Sequence, residues 1–165
     1  MANREVERTV RQSVLDRLID FEPKQSADAS TTWAESVRQL KESVLRDLEW
    51  LLNTRRTPET APDAYAEVKR SVFHYGLPDI TSLSGESEVV RRRLIRQVEE
   101  CIQLFEPRLT GVRVSPVEVE EESKRRIRFI IEAILRMEPN PERVTFDTVL
   151  EISSGKFLVT GERSA

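Results

Sequence analysis

The stretch Arg126-Ile127-Arg128-Phe129-Ile130-Ile131-Glu132-Ala133-Ile134-Leu135-Arg136-Met137 decides the fold. Ile127, Phe129, Ile131, Ala133 and Leu135 fall on one side, and Arg126, Arg128, Ile130, Glu132, Ile134 and Arg136 on the other. Strand side chains alternate with a period of two, so this is a strand with one buried and one mixed face. Glu138-Pro139-Asn140-Pro141 is a turn, and the alternation resumes over 144–152 with Val144, Phe146, Thr148, Leu150 and Ile152 on one side. Ser153-Ser154-Gly155-Lys156 makes a tight connection, after which Phe157-Leu158-Val159 reads as a short returning edge strand. Upstream, the valine-rich residues 109–120 read as one more strand.

N-terminal to these strands the period becomes 3.6. In residues 86–105 Val90, Leu94, Val98, Cys101, Ile102 and Phe105 share a helical face, and Arg92, Arg96, Glu99, Glu100 and Gln103 lie opposite. Residues 63–73 are expected to form a short helix, followed by a sharp turn at Tyr75-Gly76-Leu77-Pro78-Asp79, where Gly76 can take positive φ. Thr32-Trp33-Ala34-Glu35 is a capping box that opens a helix to about Arg55, with Val37, Leu40, Val44, Leu48 and Leu51 as its buried stripe. A first helix is expected over 5–20, carrying Val10, Val14, Leu15 and Leu18, and the small polar residues 24–31 read as a linker. Helices first and strands last give an α+β fold: N-terminal helices followed by a small antiparallel β-sheet packed on helices.

Composition narrows the function. Net charge is −3 with 33 % charged residues, so nothing at whole-chain level points to nucleic acid. No run approaches the length of a membrane span, and residues 1–10 are charged without an apolar signal-peptide core, so the chain is expected to stay where it is made. The single cysteine, Cys101, reads as a small buried apolar residue. The single histidine, His74, between Phe73 and Tyr75, builds neither a zinc site nor a catalytic triad, since no cysteine pair or nucleophile elbow accompanies it. Arg91-Arg92-Arg93 with Arg96 lacks interleaved aromatic residues and is bracketed by Glu86, Glu88, Glu99 and Glu100, which describes a solvated helix face. No catalytic residue, cofactor or metal site is therefore expected.

Leu104-Phe105-Glu106-Pro107-Arg108-Leu109 is the unusual stretch. Pro107 removes a backbone donor and ends the helix, and Glu106 and Arg108 flank it in fixed directions. Such a pair has two readings, an internal pin of the helix-to-strand junction or a charged motif presented to a partner. Glu106 is also the one carboxylate placed where a cleft could use it, which keeps a peptidoglycan hydrolase as the competing functional class.

Four segments in this order resemble one family. Ser13-Val14-Leu15-Asp16-Arg17-Leu18 with the run Ser43-Val44-Leu45-Arg46-Asp47-Leu48-Glu49-Trp50-Leu51-Leu52-Asn53-Thr54-Arg55 is similar to the opening of the TssE proteins. Those are type VI secretion baseplate proteins related to the small wedge protein of contractile phage tails, the GPW and gene-25 family. Ser71-Val72-Phe73-His74-Tyr75-Gly76-Leu77-Pro78-Asp79 is similar to their central segment, Phe105-Glu106-Pro107-Arg108-Leu109 to their Glu-Pro-Arg signature, and Val144-Thr145-Phe146-Asp147-Thr148 to their last strand. The resemblance implies a non-catalytic subunit in the cytoplasm near the inner membrane. It implies partnership with the wedge subunits TssF and TssG and the sheath subunits TssB and TssC, with no nucleic acid and no membrane insertion. It implies that residues 1–31 are a docking helix and linker, that 32–165 are an α+β wedge domain starting sheath polymerisation, and that Glu106, Pro107 and Arg108 support those contacts. The lysozyme-like label the family has also carried finds no support in these residues.

Overall fold

The computed structural model describes residues 10, 12–19, 32–62, 64–80, 88–117 and 126–161. The linker read over 24–31 lies outside them, as do residues 5–9, 11 and 20 of the first helix; residues 10, 12, 13 and 19 are described and not helical, so the helix expected over 5–20 is confined to Val14–Leu18, where the Ser13 side chain caps its start. The expected α+β architecture is present. The strands β1 (Leu109–Val117), β2 (Arg126–Leu135), β3 (Glu142–Glu151) and β4 (Lys156–Thr160) form an antiparallel meander in the order β1-β2-β3-β4. The alternation read from the sequence sets the register: Phe129 pairs with Thr148, Ile131 with Phe146 and Leu150 with Phe157, all on the buried face. A shift of one residue would turn that whole set to solvent. A bulge between Thr110 and Arg113 lets Gly111, at φ 62°, re-aim β1 so that Val112 and Val114 both point inward.

Two long helices cover the buried face, α2 (Trp33–Asn53) beside β4 and α4 (Glu88–Phe105) beside β1. The capping box holds: Thr32 Oγ1 accepts from the Glu35 N–H at 3.3 Å, and the Glu35 carboxylate accepts from the Thr32 N–H at 2.9 Å. Leu40, Val44, Leu48, Leu51 and Leu52 of α2 meet Leu94, Val98, Cys101 and Ile102 of α4 over the sheet. The rings of Phe129 and Phe157 meet edge to face with centroids 6.0 Å apart. Lys41 Nζ ties α2 to β3 through Glu142 Oε1 at 2.7 Å. Among the described residues no helix is long and apolar enough to cross a membrane.

The helix expected over 63–73 is interrupted. Between α1 (Val14–Leu18) and α4, besides α2, the described residues make a four-residue helix α3 (Ala66–Lys69) and a 3-10 turn at Val72–His74. Ser71 separates them: its hydroxyl donates to Val68 O at 2.8 Å and accepts from the Phe73 N–H at 3.3 Å, offering the backbone an alternative to helical bonds. The turn that follows is tight. Gly76 sits at φ 95°, and a Cβ there would lie 2.3 Å from Thr54 O. Leu77 N–H donates to Thr54 O and Arg56 N–H to Leu77 O, both at 2.9 Å, so the glycine is pressed against the segment leaving α2.

Candidate functional site

The helix-to-strand junction is a charged network under the end of α4. Pro107 ends the helix, and β1 starts two residues later. Glu106 is buried, its side chain 6 % exposed, and both of its oxygens accept from Arg108: Oε1 from Nε at 2.7 Å and Oε2 from Nη2. The Arg108 backbone N–H also donates to Glu106 Oε1, at 3.2 Å, so the proline turn closes on itself. The guanidinium then reaches α2, where Nη2 donates to Asp47 Oδ2 at 2.6 Å and Nη1 to Ser43 Oγ at 3.1 Å. Burial opposes the charged form of Arg108, but the Glu106 and Asp47 carboxylates outweigh it and raise the guanidinium above its ordinary pKa. Arg108 is therefore a fixed cation. Its C=O accepts from the Arg136 N–H at 2.8 Å, which extends the junction to the end of β2.

The network continues to the N-terminal helix. Arg46 Nη2 donates to Asp47 Oδ1 and Asp16 Oδ1, both at 2.8 Å, and the Arg46 guanidinium stacks 5.0 Å from the Trp50 ring centroid. Asp16 Oδ2 lies 4.0 Å from Arg108 Nη1. Burial works against the Asp16 carboxylate, but the Ser13 hydrogen bond and Arg46 hold its pKa below the ordinary value. Ser13 caps α1 through the Asp16 N–H, and Gln12 Nε2 donates to Gln39 Oε1 on α2. The short helix thus meets the body through polar side chains.

The apolar residues expected on the first helix divide. Val10 lies outside α1 and is buried with the core, whereas Val14 is 73 %, Leu15 48 % and Leu18 77 % exposed. Three large aliphatic side chains on a helix held in place by its polar face form an outward apolar surface. Of the residues singled out in the sequence, the structure brings Glu106 and Arg108 together and places Val14, Leu15 and Leu18 on one nearby helix. Pro107 is exposed between its charged neighbours.

Sequence reasoning gave no role to Asp16, Ser43, Arg46 and Asp47, which complete the network. The available signal was Ser43 inside the apolar stripe of α2, one turn before Asp47; a small polar residue on a buried face needs a partner. Sequence reasoning also took Glu99 and Gln103 for a solvated face. Glu99 Oε2 instead accepts from the Val114 N–H at 3.2 Å, and Gln103 Nε2 donates to Val112 O at 3.3 Å.

The arrangement has no catalytic geometry at Glu106. A carboxylate whose oxygens both take guanidinium bonds, closed off from solvent, cannot reach a glycosidic oxygen in a bound polymer. The open hollow of about 400 Å³ beyond the end of α2 is lined by Thr54, Arg55, Arg56, Thr57, Val72, Phe73 and Tyr75, with no acidic residue. Cys101 is buried, its thiol pushed up to about 11 by burial, with the Gly76 carbonyl and Arg56 acting in the opposite sense. His74 sits half-buried in the 3-10 turn.

Residues 38–140, more than half of the chain, match the family model described as baseplate wedge protein gp25. No curated protein matches the chain. The matched span runs from α2 through the charged junction to the turn after β2.

Proposed function

We propose, since this chain belongs to the baseplate wedge protein gp25 family, that it is the wedge subunit of a type VI secretion machine that joins the wedge to the sheath and starts sheath polymerisation. The family is structural and non-enzymatic, so the chain is a baseplate component that binds other baseplate proteins and not a hydrolase. In the finer reading its wedge partners are TssF and TssG, its sheath partners are TssB and TssC, and it works in the cytoplasm near the inner membrane. Residues 1–31 serve as docking helix and linker and 32–165 as the wedge domain. The order and chemistry of the TssE-like motifs support that choice of machine.

The carrying observation is the orientation of α1. Asp16 fastens it to Arg46 beside Arg108, while Val14 and Leu18 point away from the body. A helix of this length has no stability of its own in water. Fixed by the network, it offers a preorganised apolar edge to a partner helix, which lowers the ordering cost of association. Glu106, Pro107 and Arg108 support docking from beneath, by fixing α2, α4 and β1 around the helix. The test is co-purification with TssF and TssG, comparing the native chain with the double substitution Val14→Glu, Leu18→Glu. The native chain is expected to be retained and the variant lost, with the variant's melting unchanged. Retention of the variant would overturn the role of α1, and failure of the native chain to be retained would overturn the assignment to this machine.

A further inference from the structure

The hollow beyond the end of α2 combines positive charge, apolar surface and a fixed frame. Its lining carries two arginines, Arg55 and Arg56, and no acidic residue. Neither guanidinium meets a carboxylate among the described residues: Arg55 Nη2 donates to Gly155 O at 3.2 Å, and the exposed Arg56 side chain bonds none of them. The apolar part comes from the segment after α3. Ser71 breaks the helix there, and the 3-10 turn that results leaves Val72 89 % and Phe73 37 % exposed at the hollow. The frame is held from several sides. Asn53, the last residue of α2, bonds both backbone groups of Phe157 on β4: Oδ1 accepts from the N–H and Nδ2 donates to the C=O, each at 2.9 Å. The Thr54 and Arg56 backbones are tied to Leu77. The Tyr75 ring, which also lines the hollow, meets Phe105 edge to face with centroids 5.3 Å apart. Binding here therefore costs little ordering of the protein.

We propose that this hollow binds an acidic segment of a partner polypeptide in which an apolar side chain stands between carboxylates. The apolar side chain packs on Val72 and Phe73, a carboxylate takes the Arg56 guanidinium, and Arg55 adds to the attraction. Charge complementarity selects this occupant. A lining with two cations and no anion favours a negative ligand, and the exposed valine and phenylalanine favour one that is not negative throughout. A nucleic acid would bring its phosphates against a chain of net charge −3 and would find little exposed aromatic surface for its bases. A second copy docked hollow to hollow would set arginine against arginine. The site rests on this lining alone; that the segment belongs to another baseplate protein rests on the function proposed above.

The experiment titrates the isotopically labelled full chain with the capped peptide Asp-Glu-Phe-Asp-Glu and follows the amide resonances. Saturable shifts are expected at residues 55–57 and 72–75, with the β2 amides unmoved. Arg56→Glu should weaken binding about tenfold or more by reversing the charge that holds the carboxylate. Val72→Asp should weaken it about as much, since it removes apolar contact and adds a like charge. Both side chains are exposed, so both variants are expected to melt with the native chain; if Arg56→Glu does not fold, Val72→Asp decides alone. A control peptide with lysine at the four acidic positions should leave the spectrum unchanged. Absence of saturable shifts at these residues, or equal binding by the folded variants, would overturn the proposal. So would an oligothymidylate that binds here more tightly than the peptide, or a dimer of the native chain that Val72→Asp abolishes. Retention by TssF and TssG, measured separately, can fail without affecting these readouts.

Discussion

Arg108→Ala removes a cation that joins α2, the end of α4 and the start of β1. Three acceptors lose it: the Glu106 carboxylate, Asp47 Oδ2 and Ser43 Oγ. They do not suffer equally. Asp47 keeps Arg46 at 2.8 Å, and Ser43 keeps its bond to Leu40 O at 3.0 Å. Glu106 is left as a buried charge whose guanidinium partner is gone. Breaking a buried ion pair by removing one partner costs about 3–5 kcal/mol. The Arg108 side chain is 21 % exposed, and water entering the vacated space solvates part of the charge, which places the cost near the lower end, about 3 kcal/mol. For a chain of this length that lowers the melting temperature by about 6–12 °C. With a urea dependence of about 2 kcal/mol per molar, the midpoint falls by about 1.5 M. The assay is urea unfolding of the native chain, Arg108→Ala and the double substitution Glu106→Gln, Arg108→Ala. Neutralising the stranded carboxylate should return about 1–2 kcal/mol, since a buried amide without partners costs less than a buried charge. A single substitution that shifts the midpoint by less than about 0.3 M, or a double one no more stable than the single, would refute the claim that this motif pins the junction internally.

The Gly76 turn, the buried thiol and the Asp16 tie each carry an expected outcome. Gly76→Ala should destabilise by more than about 2 kcal/mol in thermal unfolding, because φ 95° is strained for alanine and its Cβ would lie 2.3 Å from Thr54 O; a change below 1 kcal/mol would contradict that geometry. The Cys101 thiol, raised by burial to about 11 from 9.0, should resist a thiol reagent at pH 8 until the chain is unfolded; because the folded value is the higher one, its stabilising contribution is whole below pH 9 and is lost as pH rises through 11, which a pH series of unfolding midpoints checks against Cys101→Ala. Asp16 has its folded pKa lowered from 3.8, so its contribution is present above that value and lost as pH falls below it; α1 should loosen in acid, read from Trp50 emission beneath Arg46, and Asp16→Asn should show the loosened signal already at pH 7.

What the sequence disclosed was what depends on local spacing. The alternation at Ile127, Phe129, Ile131, Ala133 and Leu135 needed nothing but period two, and it gave β2 its buried face; the capping box at Thr32 and Glu35 lies within one turn. Gly76 was legible as a positive-φ residue, although the Thr54 carbonyl that demands it was not. The helix expected over 63–73 failed because Ser71 competes for the backbone, an effect of one hydroxyl that apolar periodicity does not register. The site was half legible. Glu106 and Arg108 stood out because proline separates them, but both an internal and an external pairing fitted the spacing. The choice between these is made by Asp47, 61 residues away along the chain, and Ser43, 65 residues away. Such a meeting is a product of how α2 lies across the junction. Asn53, Glu99 and Gln103 were hidden for the same reason: each looks like an ordinary polar helix residue until the strand it reaches is in place.

The most direct test of the central claim, that the chain works by presenting α1 to its wedge partners, is thiol labelling of Leu18→Cys. Cys101 is buried and its thiol is raised to about 11, so the introduced cysteine is the one that reacts at neutral pH. In the isolated chain Leu18 is 77 % exposed, and its replacement should label at the rate of a free thiol. In the assembly with TssF and TssG the rate should fall at least tenfold, because burial removes the thiolate from the reagent. Equal labelling rates alone and in an intact assembly would show that α1 stays in solvent, and would contradict the account.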